Sequence, residues 1–332
     1  MKRRMHRVLM IAVVLLLTAG MLWANGAGEK SWKLGHVRPQ DTSTDVDVKA
    51  FAKAVADASG GQINIDVFPA SQLGNYSVVQ ERVGLGDVEM QLAPASNSVT
   101  KALSITSAPY LVTNWDEARE MFARGGKMMN AVDKMFEKED IKIIAQYPKY
   151  FGGIALAKEP AAPKNPGASQ GLKIRVPGIK SFELTASSLG YLATPIPFSE
   201  AFTAMQTGIV DGVIGSGAEG YWSSFRDLTK YYLPVNSHFE MWFLYMNKSL
   251  WDSLSPEEQD LLEKAGMEME NARWAAAPSE TKGYEQQLEG IGVKIIPFSD
   301  SDRAGLAKRI RSEVWPQIKA EYGAELFDSL TR

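Results

Sequence analysis

Residues 172–214 read LKIRVPGIKSFELTASSLGYLATPIPFSEAFTAMQTGIVDGVI. Apolar residues alternate in three short runs, and apolar residues at helical spacing fill the two intervals between them. The stretch therefore predicts a strand at 172–176, a helix at 179–189 that Gly190 stops, a strand at 192–196, a helix to Thr207 with Ser199 as its N-cap, and a strand at 210–214.

The same order occurs earlier in the chain. The elements predicted there are a strand at 32–37, a helix through Val48 and Val55 that stops at Gly60-Gly61, a strand at 63–67, a helix at 76–83 and a strand at 87–92. Strands that alternate with helices favour parallel α/β sheets, which bind ligands beyond the carboxyl ends of their strands. Two such sheets facing each other would form a cleft.

The last part of the chain is helical. Ser255-Pro256-Glu257-Glu258 has an N-cap serine, a proline at the first helical position and a glutamate at the third, which is a capping box. It predicts a long helix over 255–279 and leaves open whether the helix continues past Pro278. A further helix is expected at 302–318, where Leu306, Ile310 and Val314 share a face.

The composition excludes several classes of function. The 332 residues contain no cysteine, so thiolate catalysis, disulfides and cysteine-bound metals are excluded. The only histidines are His6, His36 and His238, which show no metal-ligand spacing, and no GxSxG marks a serine nucleophile. With 39 acidic and 36 basic residues, nucleic-acid binding has no support.

The N-terminus has the pattern of a secretory signal peptide. Four bases lie within residues 1–7, and the uncharged run from Val8 to Trp23 is short for a membrane-spanning helix. We expect cleavage near Ala24. Loss of the four bases leaves 32 against 39 acids, so the exported protein would carry a net charge of about −7.

One arginine is placed to bind an anion. Strand alternation puts Lys173 and Arg175 opposite the apolar face of their strand, close to its carboxyl end. A guanidinium in a partly dry cleft can bind a carboxylate through two parallel hydrogen bonds. An arginine that only covers the surface is the alternative.

A glycine-rich loop leaves a second class of function open. Gly215-Ser-Gly-Ala-Glu-Gly220 matches GxGxxG, with Glu240 twenty residues further on, as in dinucleotide-binding folds. However, it follows the third predicted strand of its repeat, whereas that fingerprint belongs to the first. An exported oxidoreductase is therefore kept as the alternative. Aromatic residues cluster after the loop, among them Trp222 and Phe239, and would suit a flat or apolar ligand.

Five motifs in order carry a resemblance to a known family. They are Leu34-Gly-His-Val-Arg38, Phe68-Pro-Ala-Ser-Gln-Leu-Gly74, Gly171-Leu-Lys-Ile-Arg-Val-Pro177, Ala204-Met-Gln-Thr-Gly-Ile-Val-Asp-Gly212, and Asn247-Lys-Ser-Leu-Trp-Asp-Ser-Leu-Ser-Pro-Glu-Glu-Gln259. The chain resembles the DctP-type periplasmic solute-binding proteins of TRAP (tripartite ATP-independent periplasmic) transporters.

The resemblance implies an α/β, periplasmic-binding-protein-like fold with two lobes around a cleft. We expect lobe I to contain 30–150 and 236–250, lobe II to contain 151–235 and 280–332, and the helix 255–279 to be shared between them. It also implies a monomeric binding protein without cofactor or catalysis, which closes on a carboxylated solute and delivers it to membrane permease subunits.

Arg175 matches the carboxylate-binding arginine of that family. The chain departs from the family's pattern at two places, because Ile214-Gly215-Ser216 replaces a usual Glu-Asn-Pro and no second arginine occurs in 147–153. A single arginine favours a monocarboxylate, with an aromatic acid as one candidate, unless Lys149 supplies the second charge. The expected ligand contacts are Arg175, His36, Phe151, Pro177, Gly215, Trp222 and Phe239.

Overall fold

The computed structural model describes residues 29–331, so the predicted signal peptide at 1–24 lies outside the described residues. Two β-sheets organise this part of the chain. The strands are β1 Lys30–His36, β2 Ile63–Phe68, β3 Met90–Pro94, β4 Ile141–Phe151, β5 Gly153–Leu156, β6 Lys173–Val176, β7 Leu192–Pro195, β8 Gly212–Ser216, β9 Tyr231–Leu233, β10 Phe239–Asn247 and β11 Lys294–Ile295.

The first sheet has the order β2-β1-β3-β10-β4 and the second has the order β11-β9-β5-β8-β6-β7. The strands of each predicted repeat pair in parallel, as the alternation with helices indicates. The sheets are nevertheless mixed, because β10 in the first and β5 in the second run antiparallel to their neighbours. The predicted parallel pairing is therefore present in both sheets, and each sheet also contains an antiparallel strand.

The helices of the two lobes cover these sheets. They are α1 Ser43–Ala58, α2 Tyr76–Gly84, α3 Trp115–Met121, α4 Lys127–Glu137, α5 Lys180–Ser188, α6 Phe198–Gln206, α7 Ala218–Phe225, α8 Lys248–Asp252, α9 Pro256–Gly290, α10 Asp300–Glu313, α11 Trp315–Tyr322 and α12 Ala324–Thr331, with a 3-10 helix at Lys101–Ser107. Pro197 rather than Ser199 precedes α6, and its cap makes no side-chain hydrogen bond.

Two strand connections join the sheets. Only Gly152 separates β4 in the first sheet from β5 in the second, and the chain returns from β9 to β10. The connections cross at Gly152, whose N–H donates to the His238 carbonyl at 2.8 Å and whose carbonyl accepts from the Ser237 N–H at 2.9 Å. A Cβ at Gly152 would lie 2.0 Å from the His238 ring, so only glycine fits this crossing.

The long helix α9 is shared between the lobes. Leu262 and Met269 pack into the first-sheet core with Trp32 and Leu34, whereas Leu288 packs into the second-sheet core with Val213. The capping box at Ser255 is present, since its hydroxyl accepts from the Glu258 N–H and the Glu258 carboxylate accepts from the Ser255 N–H. The predicted two-lobed fold with a shared helix is confirmed.

Two predicted boundaries differ from the structure. Helix α9 continues to Gly290, beyond the predicted end at 279. The predicted helix 302–318 is divided into α10 and α11. Helix α10 packs on α5 of the second lobe, but α11 contacts the 3-10 helix and α12 contacts α4, both of the first lobe. The C-terminal segment is therefore not confined to lobe II.

Candidate functional site

A cavity lies between the two lobes, where the carboxyl ends of the parallel strands meet. It encloses about 540 Å³ of space, including the open space at its mouth. The first lobe contributes Arg38, Tyr76, Tyr150, Glu240 and Trp242 to its wall, and the second contributes Arg175, Pro177, Phe182, Phe198 and Gly215.

Arg175 is a buried cation on this wall. It lies at the carboxyl end of β6 and is 3% exposed, whereas Lys173 on the same face is exposed. Its Nε donates to the Ile196 carbonyl at 2.7 Å and its Nη1 to the Ile214 carbonyl at 3.4 Å. Among residues 29–331 no carboxylate lies within 4.0 Å of it. Burial lowers its pKa to about 10.

An unpaired buried guanidinium is costly to desolvate, and an anion in the cavity would offset that cost. Two of its five N–H groups bind carbonyls, which leaves donors for a carboxylate. The Phe198 ring centroid lies 5.7 Å from the Arg175 guanidinium carbon and 5.6 Å from that of Arg38, so both cations lie beside the same aromatic ring. The arrangement suits one carboxylate held at Arg175.

Gly215 allows β8 to approach this arginine. Its φ is +104°, a backbone conformation that favours glycine. A Cβ at this position would lie 2.8 Å from the Pro177 ring and 3.5 Å from Nη1 of Arg175. Gly215 and Pro177 therefore fix the position of the guanidinium as well as lining the cavity.

A second buried group of charges joins the lobes beside the cavity. Glu219 on α7 of the second lobe lies 3.2 Å from Arg38 and 3.1 Å from Lys149, both of the first lobe. Burial alone would raise the pKa of Glu219, but the two cations outweigh it and lower the pKa to about 2. Arg38 also donates to the Tyr150 hydroxyl at 2.8 Å. Arg38 therefore has a counter-charge, unlike Arg175.

Lys149 does not lie on the cavity wall. The pairing of β10 with β4 shifts between Glu240, opposite Tyr150, and Met241, opposite Pro148, so Lys149 is the extra residue of a bulge. Its ammonium donates to the Thr44 hydroxyl at 2.7 Å and lies 3.1 Å from Glu219. Burial lowers the pKa of Lys149 to about 8, against the attraction of Glu219. Because the Lys149 ammonium is paired with Glu219, it does not supply the second cation that was considered for the ligand.

The glycines of the GxGxxG loop pack against protein atoms. A Cβ at Gly217 would lie 2.7 Å from the Tyr150 ring, and one at Gly220 would lie 2.5 Å from Nη2 of Arg38. Gly215 makes the close approach to Pro177 described above. All three glycines are thus explained by the joint between β8, α7 and the first lobe, and the predicted dinucleotide alternative has no support.

The structure places three of the seven predicted contacts on the cavity wall, namely Arg175, Pro177 and Gly215. His36 is instead buried beneath α1, with Nε2 3.1 Å from the Asp45 carboxylate. His36 is the last residue of β1, and the basic residue that reaches the cavity is Arg38, two positions further along the chain. The prediction of His36 as a wall residue was wrong.

The three aromatic residues of that prediction also lie elsewhere. Phe151 and Phe239 pack on each other in the core with ring centroids 5.2 Å apart, and Phe239 stacks on Trp274. Trp222 is half-buried on the outside of α7, beneath Arg226. Phe151 and Phe239 pack within a hydrophobic core and Trp222 packs at the edge of another, so the three side chains do not form the cavity wall.

Sequence reasoning missed several wall residues, including Arg38, Tyr150 and Glu240. Glu240 had a visible signal, because it is the only acidic residue in the buried run from His238 to Asn247. Arg38 follows the carboxyl end of β1, which is the position that favoured Arg175. Nothing in the sequence indicated that Tyr150 lines the cavity, because its position there depends on the bulge at Lys149.

Two other features bear on the class of protein. Within residues 29–331, His, Asp and Glu side chains form no group of three or more that could hold a metal ion. In the same part of the chain, every helix is too short or too polar to cross a membrane.

The fold and the cavity agree with the comparison to protein families. The model of the family described as bacterial extracellular solute-binding protein, family 7 (DctP), matches residues 34–321. The chain belongs to this family, and the predicted resemblance is confirmed.

Known relatives are distant in sequence but similar in fold. A solute-binding protein of Roseobacter denitrificans is 24% identical over 320 residues, covering 93% of this chain and 96% of that protein. The sugar acid binding protein DctPAm from Advenella mimigardefordensis, solved with galactonate, has a TM-score of 0.84 at 20% identity, with 92% and 97% of the two chains covered. A TRAP periplasmic solute-binding protein from Sulfurospirillum deleyianum, solved with succinate, has a TM-score of 0.81 at 19% identity, with 91% and 98% covered.

Proposed function

We propose that this protein captures an organic acid with one carboxylate outside the cytoplasm and delivers it to the membrane permease subunits of a TRAP transporter. The observation that carries the proposal is Arg175, a buried cation that no described carboxylate neutralises. The ligand carboxylate takes the place of that missing counter-ion. The protein makes and breaks no bond in its ligand.

Binding is coupled to closure of the lobes. Arg175 and Phe198 belong to the second lobe, whereas Arg38, Tyr76 and Trp242 face them from the first. A solute that contacts both walls binds the closed state better than the open one, and so shifts the population toward closure. The strand crossing at Gly152 and the shared helix α9 are the connections that must bend. The closed monomer is the form presented to the permease.

The periplasm is the proposed location, with the signal peptide removed near Ala24. Family membership supports an extracytoplasmic protein, since the family consists of extracellular solute-binding proteins. Mass spectrometry of the N-terminus after expression with the full leader tests the cleavage site. A mature chain that begins between 25 and 28 supports it, and an uncleaved chain contradicts it.

The monocarboxylate is favoured because Arg38 and Lys149 are both engaged by Glu219. A second carboxylate in the cavity would lack a free cationic partner, which makes its burial costly. Trp222 and Phe239, from which an aromatic ligand was expected, do not line the cavity. Tyr76, Phe198 and Trp242 supply aromatic walls instead, so aromatic acids belong in the test.

Thermal unfolding against a panel of acids tests this function. The panel contains galactonate and succinate, which relatives bind, together with erythronate, branched 2-oxo acids and aromatic 2-oxo acids. A ligand at 100 times its dissociation constant adds about 2.7 kcal/mol to the free energy of unfolding, which raises the midpoint by a few degrees in a chain of this size. The protein is first unfolded and refolded to remove any acid that co-purifies.

Stabilisation by monocarboxylates supports the proposal. Stabilisation by succinate alone would contradict the monocarboxylate assignment, and stabilisation by none of the acids would contradict the function itself. Titration with NADH, followed by its fluorescence, checks the oxidoreductase alternative, and we expect no binding.

A further inference from the structure

Glu240 is the only acidic residue on the wall of the described cavity. It lies on β10 between the crossing at His238 and Trp242, and it is 6% exposed. One carboxylate oxygen accepts from Nε1 of Trp242 at 2.7 Å, and the other lies 3.2 Å from Nε2 of His238. Among residues 29–331 no lysine or arginine lies within 4.0 Å of it.

A carboxylate offers about four acceptor positions. The Trp242 indole occupies one position, and His238 can occupy at most one more, so Glu240 keeps acceptor capacity. The sequence places this group in an otherwise apolar strand, where burial of a charge is costly unless it has a partner. A hydrogen-bond donor on a ligand would provide that partner.

The charges around the cavity favour a particular ligand charge. Arg38, Arg175 and Glu240 line the wall, and Lys149 and Glu219 lie behind it. These three cations and two anions leave one positive charge. A monoanion neutralises it, whereas a dianion would leave a buried negative charge and bring a second carboxylate toward Glu240. A zwitterion would leave the positive charge unbalanced.

We propose that Glu240 determines specificity: it accepts a hydrogen bond from a hydroxyl group of the solute and repels a second carboxylate. The solute is then a hydroxylated monocarboxylate, bound by Arg175 at its carboxylate and by Glu240 at a hydroxyl. This inference rests on the proposed function and names the substrate class of the same site.

Two sets of acids with matched carbon skeletons test the inference by calorimetry. The four-carbon set is erythronate, meso-tartrate and butyrate, and the six-carbon set is galactonate, galactarate and hexanoate. Each set contains a hydroxylated monoacid, its diacid and the unhydroxylated acid. In at least one set we expect wild type to bind the hydroxylated monoacid more tightly than either partner, by about tenfold or more.

Glu240→Gln is the diagnostic variant, because its amide oxygen can still accept from Trp242 while the negative charge is lost. We expect it to reduce the discrimination between monoacid and diacid by about tenfold or more. Glu289→Gln makes the same change on an exposed position of α9 and is the matched control, which should keep the wild-type ratio. Urea unfolding of both variants checks that they fold.

The inference is overturned if Glu240→Gln keeps the wild-type ratio, if wild type binds the diacid as tightly as the monoacid, or if only the unhydroxylated acids bind. In those cases Arg175-dependent binding of some acid would leave the proposed function intact. If no acid binds to wild type, the proposed function fails as well.

Discussion

Among the single residues near the cavity, Arg38 and Lys149 have a buried counter-ion in the protein, whereas Arg175 has none among the described residues. Glu219 neutralises Arg38 and Lys149 within the protein, whereas Arg175 has only the carbonyls of Ile196 and Ile214. An internal counter-ion stabilises the folded chain, but it would compete with an anionic ligand. The absence of such a partner at Arg175 among the described residues is therefore what a binding site requires.

His36 is expected to make stability depend on pH. Burial lowers its pKa to about 4, against the hydrogen bond to Asp45, whereas an unfolded histidine titrates near 6.5. Between these values the unfolded state binds more protons, so the free energy of unfolding falls as pH falls from about 6.5 to about 4, by at most about 1.4 kcal/mol per pH unit.

Urea unfolding of wild type and His36→Asn at pH 5.0 to 6.5 measures this effect. The window lies above the range in which Asp45 and Glu219 titrate, since both carboxyl pKa values are lowered. The difference in unfolding free energy between the two proteins should shrink steadily as pH falls. Parallel curves would show that His36 does not titrate as proposed.

Single residues differ in how far sequence could predict them. The position of Arg175 follows from alternation at the end of a strand, and the structure places it on the cavity wall. The same rule selected His36, although the chain bends after β1 and presents Arg38 instead. The Glu219 pairings were not predictable, because they join residues 181 and 70 positions apart in sequence.

At the element scale, α9 continues through a proline. Pro278 has no N–H to donate to the carbonyl of Trp274, four residues earlier, and a proline there normally ends or kinks a helix. The guanidinium of Arg119 on α3 donates to that carbonyl at 3.1 Å and lies over the Trp274 ring. Sequence alone could not decide whether the helix continues past Pro278, because the substitute donor comes from a distant helix.

Arg119→Ala should lower the free energy of unfolding by about 0.5–1.5 kcal/mol, the net value of an intramolecular hydrogen bond. The loss should be smaller in a Pro278→Ala background, where the new N–H can donate to Trp274. A double-mutant cycle by urea unfolding measures the coupling. Equal losses in the two backgrounds would mean that Arg119 does not replace the missing donor.

At the scale of the whole molecule, contacts from both lobes meet beside the cavity. Arg38 and Lys149 belong to the first lobe and Glu219 to the second, so their ion pairs exist only when the lobes stand in this arrangement. Sequence repeats predicted two sheets and a cleft. They did not predict this joint, which depends on the bulge in β4 and on the close packing of Gly217 and Gly220.

Glu219→Gln should destabilise the protein by about 3–5 kcal/mol, because two buried cations lose their counter-charge. Glu219→Gln combined with Lys149→Met restores the original charge of the group and should recover part of that loss. Urea unfolding of wild type, the single variant and the double variant measures both effects. A double variant less stable than Glu219→Gln would contradict the role of charge in this joint.

Calorimetric titration tests whether Arg175 binds the carboxylate of an organic acid. The acid that most stabilises wild type is titrated into wild type, Arg175→Lys and Arg226→Lys, the last being the same change at an exposed arginine. Because lysine cannot make the paired hydrogen bonds of a guanidinium, we predict that Arg175→Lys weakens binding by about 100-fold or more. Arg226→Lys should bind as wild type does. Equal affinity in wild type and a folded Arg175→Lys would mean that Arg175 does not bind the ligand carboxylate.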